Sequence, residues 1–244
     1  MQIRVILLIF CFLFLQNLSK AQAIRVAAAS SMTDFLLELE SKFEKETGIE
    51  LEVISNSSGT IANQIQNGAP FDVFLSANEK YTNALFQKGI GINQPMTFAY
   101  SQLVFWSKHP IESISNTLTN DNCKSIAIAQ PELAPFGSLA SLYITDSLQL
   151  GSQVKNKMVY GNNISMINQY IYAQSVDAAF TSLSSFIKLK KTQPDFWTII
   201  EPHQLGSIAQ SALLLNNQGS SFINYLFQNE ISNETLLKYG YMLK

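Results

Sequence analysis

The amino-acid sequence predicts an α/β protein of two lobes, each a mixed, mostly parallel sheet flanked by helices, with strands crossing between them. Three strand, turn and helix units follow one another between Ile24 and Gly89, and consecutive βα units build parallel sheets. A second series of short apolar strands and helices runs from Ala99 to Leu189. No low-complexity linker or tandem repeat separates the two blocks. The joint is therefore expected to consist of strands passing from one block to the other, near Phe98–Gln102 and Gly206–Ser211. The expected division is residues 24–98 with 207–244 in one lobe and 99–206 in the other.

The first unit is the apolar strand Ile24–Ala29, the turn Ser30-Ser31, and a helix with Met32, Phe35, Leu36, Leu39 and Phe43 at helical spacing. Asp34 stands three residues after Ser31 as a capping-box acid, and Gly48 is the stop. Glu50–Ser55 alternates as a second strand, runs into Ser57-Ser58-Gly59 and opens a helix with Ile61, Ala62 and Ile65 on one face. Pro70–Leu75 is a third strand, with Ser76 and Glu79 capping a helix that ends at Gly89. Ala99–Trp106 reads as one strand and Ser125–Ala129 as another. Pro135-Phe136-Gly137-Ser138 opens a helix with Leu139, Leu142 and Tyr143 inside, and Gly161-Asn162-Asn163 precedes a helix with Ile164, Ile167, Tyr170 and Ile171 inward. Asp177–Ser182 is a buried strand, Ser184–Leu189 a short helix, and Ala209–Leu215 a last strand before two closing helices.

The chain has 244 residues, 47% hydrophobic and 14% charged, with a formal charge of −2. Part of the apolar excess is the unbroken run Val5–Leu15, preceded by Arg4 and followed by Ala21-Gln22-Ala23. A charged start, an apolar stretch of 11 residues and a small-x-small site read as a secretory signal peptide over residues 1–23, cleaved after Ala23. A spanning helix needs about 20 apolar residues. Lipoprotein processing at Cys11 would require a small residue before it, where Phe10 stands. Cleavage removes Arg4, Lys20 and Cys11 and no acid, so the formal charge becomes −4 and Cys123 is left alone. One thiol forms no internal disulfide, so core burial alone must hold the fold. Net acidity without a Lys/Arg cluster argues against a nucleic-acid partner.

Candidates for catalysis are few. His109 and His203 each sit beside a proline without a neighbouring acid at catalytic or metal-ligand spacing. There is no Gly-x-Ser-x-Gly elbow, no His-Glu-x-x-His and no phosphate loop. Cys123 reads as a partly buried thiol rather than a nucleophile. What recurs is a polar turn ending a strand and beginning a helix: Ser30-Ser31, Ser57-Ser58-Gly59, Phe136-Gly137 and Asn163-Ile164. Such turns are ordinary helix caps when taken singly. Together, on the same ends of strands in two lobes, they offer free helical N–H groups, the positive end of the helix dipole and serine hydroxyls to a small anion.

At these turns the sequence resembles the molybdate-binding proteins of ABC importers, within the type II periplasmic solute-binding proteins. The matching stretches are Ala27–Asp34, Ser57–Ile65, Gly68–Glu79 (GAPFDVFLSANE), Ala134–Gly137, Asp177–Ser184 and Lys238–Tyr241. The resemblance implies a periplasmic-binding-protein-like fold closing on a tetrahedral oxyanion. Molybdate, and tungstate with it, would be the ligand, with no cofactor and no catalysis. Carried over by position, the first-lobe contacts fall on Ser30 and Ser58, hydroxyl and N–H together, and the second-lobe contacts on the N–H of Phe136 and of Ile164. Where some members carry alanine this chain has Phe136, whose ring would narrow the entrance. Where some place a tyrosine hydroxyl it has the shorter Ser182.

A dianion buried without a countercharge requires hydrogen bonds on every oxygen. Donors split between lobes make closure depend on the anion. The resemblance thus implies a monomeric periplasmic protein that hands an inorganic oxyanion to an ABC permease subunit. Three alternatives stand beside it: a binder of sulfate or another tetrahedral oxyanion, a secreted enzyme using Ser30 or Ser58 as nucleophile, and an oxyanion sensor of the same fold.

Overall fold

The computed structural model describes residues 23–193, 196–201 and 208–244. The expected signal peptide and its cleavage site, His203 and residues 206–207 of the second crossing lie outside the described residues, apart from Ala23. The described chain folds around a six-stranded and a five-stranded sheet.

In the first lobe, β1 (Ile24–Ala29) lies between β2 (Leu51–Asn56) and β3 (Val73–Ser76), parallel to both. The intervening helices are α1 (Thr33–Thr47) and α2 (Ser58–Gln66), and α3 (Glu79–Gln87) follows β3. β4 (Met96–Ser101) and β10 (Ile208–Leu214) extend this sheet antiparallel, and the two-residue strand β11 (Met242–Leu243) closes its edge. Alternation along β1 assigns each face a layer. Ile24, Val26 and Ala28 join Phe35, Leu36, Leu39 and Phe43 of α1, whereas Ala27 joins Ile61 and Ile65 of α2 and Leu85 of α3. Phe43 packs edge-on against Phe222 and Tyr225 of α9 (Ser220–Gln228) at 5.5 and 5.1 Å. The closing helix α10 (Glu230–Lys238) is fastened to α1 by Lys238 and Tyr239, both bonded to Glu38.

In the second lobe, β6 (Ile126–Ala129) lies parallel between β7 (Met158–Gly161) and β8 (Ala178–Ser182), while β5 (Leu103–Ser107) and β9 (Phe196–Ile199) continue the sheet antiparallel. Helices α4 (Ile114–Thr119), α5 (Pro135–Leu142), α6 (Gly151–Val154), α7 (Ile164–Tyr172) and α8 (Leu183–Thr192) cover it. The parallel ladders belong to the βα units, and each strand that passes near the joint pairs antiparallel.

The segment read as one strand over Ala99–Trp106 divides at Gln102. β4 belongs to the first sheet and β5 to the second, so Ala99–Ser101 stay with the first lobe. Three local readings differ from the structure. Ser31 does not cap α1: Ser30–Met32 take one 3-10 turn, in which the Thr33 hydroxyl donates to the Ser30 carbonyl, and Asp34 pairs with Lys188 instead. Ser76 is not the cap residue of α3; Asn78 holds that position, and the Glu79 carboxylate accepts from the Thr97 hydroxyl. Leu142 is 47% exposed, because α5 gives way there to a π-helical turn over Tyr143–Ser147 and the inward face passes to Tyr143 and Ile144. Strands β9 and β11 and helices α4 and α6 have too few residues for a periodic signal.

Candidate functional site

Cross-lobe hydrogen bonds bring the four polar turns together. The Ser165 N–H of α7 donates to Ser30 Oγ at 3.4 Å, and Asn163 Nδ2 donates to Asn56 Oδ1 at 3.2 Å. The Gly59 N–H of α2 donates to the Leu133 carbonyl at 2.8 Å, two residues before α5. Ser30, Ser58, Phe136 and Ile164 are all buried, none above 4% exposed. The lobes are closed on one another.

The backbone donors of the three helices that meet here can be accounted for one by one, since a helix leaves its first N–H groups without internal partners. In α2 the Thr60 N–H goes to the Ser57 cap hydroxyl, the Ile61 N–H to the Ser57 carbonyl and the Gly59 N–H to Leu133. Among the described residues only the first, Ser58, is left. In α7 the Met166 N–H goes to the Asn163 cap, Ile167 to the Asn163 carbonyl and Ser165 to Ser30. Again the first residue, Ile164, is left. α5 begins with Pro135, which has no N–H, and Ser138 bonds to Ala134, leaving Phe136 and Gly137.

The hydroxyls follow the same logic. Ser30 Oγ accepts from Ser165, and Ser58 Oγ accepts from the Ala77 N–H at 3.1 Å. With a backbone donor already on each oxygen, each hydroxyl has its one proton to give. Among the described residues the donors to both serine oxygens are backbone amides. His109 is exposed and lines a separate cavity with Cys123. Among the described residues no group of His, Cys, Asp or Glu is placed to hold a metal ion, and no helix is long and apolar enough to cross a membrane.

The Phe136 side chain is 2% exposed within the main core, so the ring does not narrow the entrance as its size suggested. The helix can approach because Gly137 has no side chain: a Cβ there would lie 2.1 Å from the Ala129 carbonyl oxygen.

Ser182 occupies a different place in the network. It caps α8 by accepting from the Ser185 N–H, and its oxygen lies 3.1 Å from Ser184 Oγ and 2.9 Å from Ser185 Oγ. Its single proton therefore has acceptors within this cluster. Ser184 in turn donates to the Ser31 carbonyl at 2.5 Å, and the Tyr241 hydroxyl reaches the same carbonyl at 3.5 Å. Burial pushes the Tyr241 phenol well up, so it stays a donor. The terminal Lys238–Tyr241 motif thus lies behind the Ser30-Ser31 turn.

Sequence reasoning carried Ser30 forward from the Ser30-Ser31 pair and passed over its neighbour. Ser31 is 4% exposed, and among the described residues its hydroxyl is buried without any hydrogen-bond partner. Such an orphan is costly unless something else satisfies it. Its position beside Ser30 was the available signal, but a cap role for Ser31 absorbed it.

A family model described as bacterial extracellular solute-binding protein matches residues 24–242. The chain is 30% identical over 236 residues to the molybdate-binding protein ModA of Azotobacter vinelandii, covering 93% of this chain and 92% of the relative. It is 28% identical over 225 residues to the ModA of Rhodobacter capsulatus, covering 88% and 86%. The fold matches the solved structure of the Azotobacter vinelandii periplasmic molybdate-binding protein with a TM-score of 0.82 at 24% identity, over 91% of this chain and 99% of that one. Two lobes, turns that meet between them and a match along nearly the whole described chain agree: this protein belongs to the bacterial extracellular solute-binding proteins.

Proposed function

We propose that the protein is an exported, monomeric, non-catalytic binder that captures molybdate, and tungstate with it, between a lobe of residues 24–101 and 207–244 and a lobe of residues 102–206. It then delivers the anion from the periplasm to the permease of an ABC importer. The observation that carries this reading is the set of donors left over after the protein's own hydrogen bonds are counted. Ser30 and Ser58 hydroxyls and the N–H of Ser58 come from one lobe, and the N–H groups of Phe136 and Ile164 from the other. The name of the Azotobacter vinelandii relative supplies the choice of anion. Ser31, whose buried hydroxyl has no partner among the described residues, belongs to this set. Ser182 acts from behind, holding Ser184 and Ser185 rather than the anion itself.

A surface of amide N–H groups and serine hydroxyls, with no carboxylate, favours the deprotonated state. Molybdate, tungstate and sulfate are fully deprotonated at neutral pH and accept at every oxygen. Monohydrogen phosphate would have to turn its own O–H onto a serine oxygen, diverting that hydroxyl, or onto an amide N–H that cannot accept it. Size then separates molybdate and tungstate from the smaller sulfate.

Titration calorimetry of the chain from Ile24 onward, with molybdate, tungstate, sulfate and phosphate, tests the reading. Heat with molybdate and tungstate and none with phosphate is expected. Heat with sulfate but none with molybdate would replace the proposed ligand.

A further inference from the structure

Two of the cross-lobe contacts outside the donor set end on the same dipeptide. The Tyr81 hydroxyl of α3 donates to the Glu132 carbonyl at 2.8 Å, and the Gly59 N–H donates to the Leu133 carbonyl at 2.8 Å. Neither group is left with a proton for the anion. The receiving loop is stiff: Leu133 and Ala134 N–H both bond back to the Gln130 carbonyl, and the Gln130 N–H bonds to Gly161 at the end of β7. It runs directly into Pro135 and Phe136, the start of α5.

The approach is also sterically tight. A Cβ on Gly59 would lie 3.0 Å from Leu133 Cα, from the Leu133 carbonyl oxygen and from the Tyr81 hydroxyl. Two of these three atoms are backbone of the opposite lobe and cannot rotate away. Gly59 is not in a left-handed conformation and sits inside the first turn of α2. The lack of a side chain there is explained by the opposing lobe rather than by its own backbone. Tyr81 is held in place from outside by Lys80, whose Nζ is 5.6 Å from the ring centroid. Burial, with Glu132 nearby, raises the phenol above its ordinary range, so the hydroxyl remains a donor.

We propose that Tyr81 and Gly59, closing on the Glu132-Leu133 carbonyls, form an inter-lobe latch that stabilises the closed protein whichever oxyanion is inside. The latch rests on the reading of the cleft as an oxyanion site, and its residues are positioning residues. A contact present only in the closed state and blind to the ligand raises closed-state occupancy for every ligand by one common factor. It therefore sets affinity and dwell time without affecting selectivity, which stays with the serines and the helix N-termini. The same contacts place the loop that presents the Phe136 N–H, so latch and donor arrive together.

The test compares the wild-type chain from Ile24 with Tyr81→Phe and Gly59→Ala. Calorimetry and stopped-flow release are measured with molybdate and tungstate, and small-angle scattering without ligand and with excess molybdate. Tyr81→Phe keeps the ring against Lys80 and loses one hydrogen bond. Its Kd is expected to rise about 3- to 10-fold for both anions equally, mostly through faster release. Gly59→Ala is expected to have a larger radius of gyration than wild type in at least one of the two conditions. Unchanged Kd and release in Tyr81→Phe, unequal factors for the two anions, or equal radii for wild type and Gly59→Ala in both conditions would overturn the latch. If wild type gives no heat with any oxyanion while Gly59→Ala still expands, the ligand assignment falls and the latch stands.

Discussion

The Ser165 N–H donates to Ser30 Oγ across the cleft, so the two lobes share the hydroxyl proposed to hold the ligand. Each lobe contributes to the same atom: the oxygen is fixed by the second lobe, and the proton it still carries is available to a guest. Ser58 has the equivalent arrangement within its own lobe, with the Ala77 N–H as the fixing donor.

Replacing either serine tests this directly. Ser30→Ala and Ser58→Ala each remove a hydrogen bond to a charged acceptor, a loss of about 1.5–3 kcal/mol. Calorimetry should show molybdate Kd raised roughly 10- to 150-fold for each, and Ser58→Ala should also lower the melting temperature of the ligand-free protein, because the buried Ala77 N–H loses its acceptor. Full-affinity binding in both variants would remove these hydroxyls from the site.

Ser31→Ala separates binding from folding in the opposite sense. Its hydroxyl is buried without a partner among the described residues, so deleting it removes an unsatisfied group from the ligand-free protein. Thermal denaturation should show stability unchanged or slightly raised, while calorimetry shows weaker molybdate binding. A fall in both would mean that the hydroxyl has a structural partner in solution.

Gly137→Ala would damage fold and site together. The added methyl would meet the Ala129 carbonyl oxygen at 2.1 Å, forcing α5 off β6. Overpacking of this kind costs about 1–3 kcal/mol or more, and the displaced helix start would carry the Phe136 N–H out of reach. Denaturant melts should show the loss. A variant of wild-type stability and affinity would contradict the close packing of this helix on the sheet.

Stability against acid should depend on Glu38. Hydrogen bonds from Lys238 and Lys42, aided by Tyr239, hold its carboxyl down at about 2 from an ordinary 4.5. A carboxyl depressed in the folded state stabilises fully above its unfolded value and loses that contribution as pH falls toward the folded one. The window is therefore roughly pH 4.5 down to 2. The partners are half-exposed lysines, so after solvent screening the effect is on the order of 1 kcal/mol. Urea melts of Glu38→Gln should be less stable than wild type at neutral pH and should converge with it in acid. Parallel curves across that window would show that the ion pairs at the α1–α10 contact contribute nothing.

Cys123 should be chemically silent. It is a buried residue of the loop after α4, and burial pushes its thiol up to about 11. At pH 8 about one molecule in a thousand would carry the thiolate. A thiol reagent such as Ellman's should label the native protein slowly and the urea-unfolded protein at once. Rapid labelling of the folded protein would contradict that burial.

Most of the architecture was legible because the βα units are long enough for a helical period to register beside a strand. Phe35, Leu36, Leu39 and Phe43 mark α1, and Ile61, Ala62 and Ile65 mark α2. The crossing near Phe98–Gln102 was legible, but the division of Ala99–Trp106 into two strands at Gln102 was not, since a strand that changes sheets keeps its extended, mostly buried pattern on both sides of the break. In the site, serines and glycines at strand-to-helix turns were visible as types. Which of them had spare protons was not, because that depends on Ser165 and Ala77, one on the facing lobe and one at the end of a neighbouring strand. Ser31 shows the same limit: its lack of a partner is a property of everything around it.

The donor set of neutral hydroxyls and amides has a consequence for how capture responds to ionic strength. A cleft lined with Lys or Arg would bind a dianion less tightly as salt rises, because mobile ions screen attraction between formal charges over about 8–10 Å. Here the short-range contacts are dipoles enclosed in protein, which dissolved salt hardly reaches. The remaining long-range force is repulsion between a dianion and a chain of formal charge −4 once residues 1–23 are removed, and salt weakens that repulsion. Encounter should therefore quicken modestly in brine while dissociation stays constant, giving a scavenger whose grip holds or tightens where a cationic trap would let go.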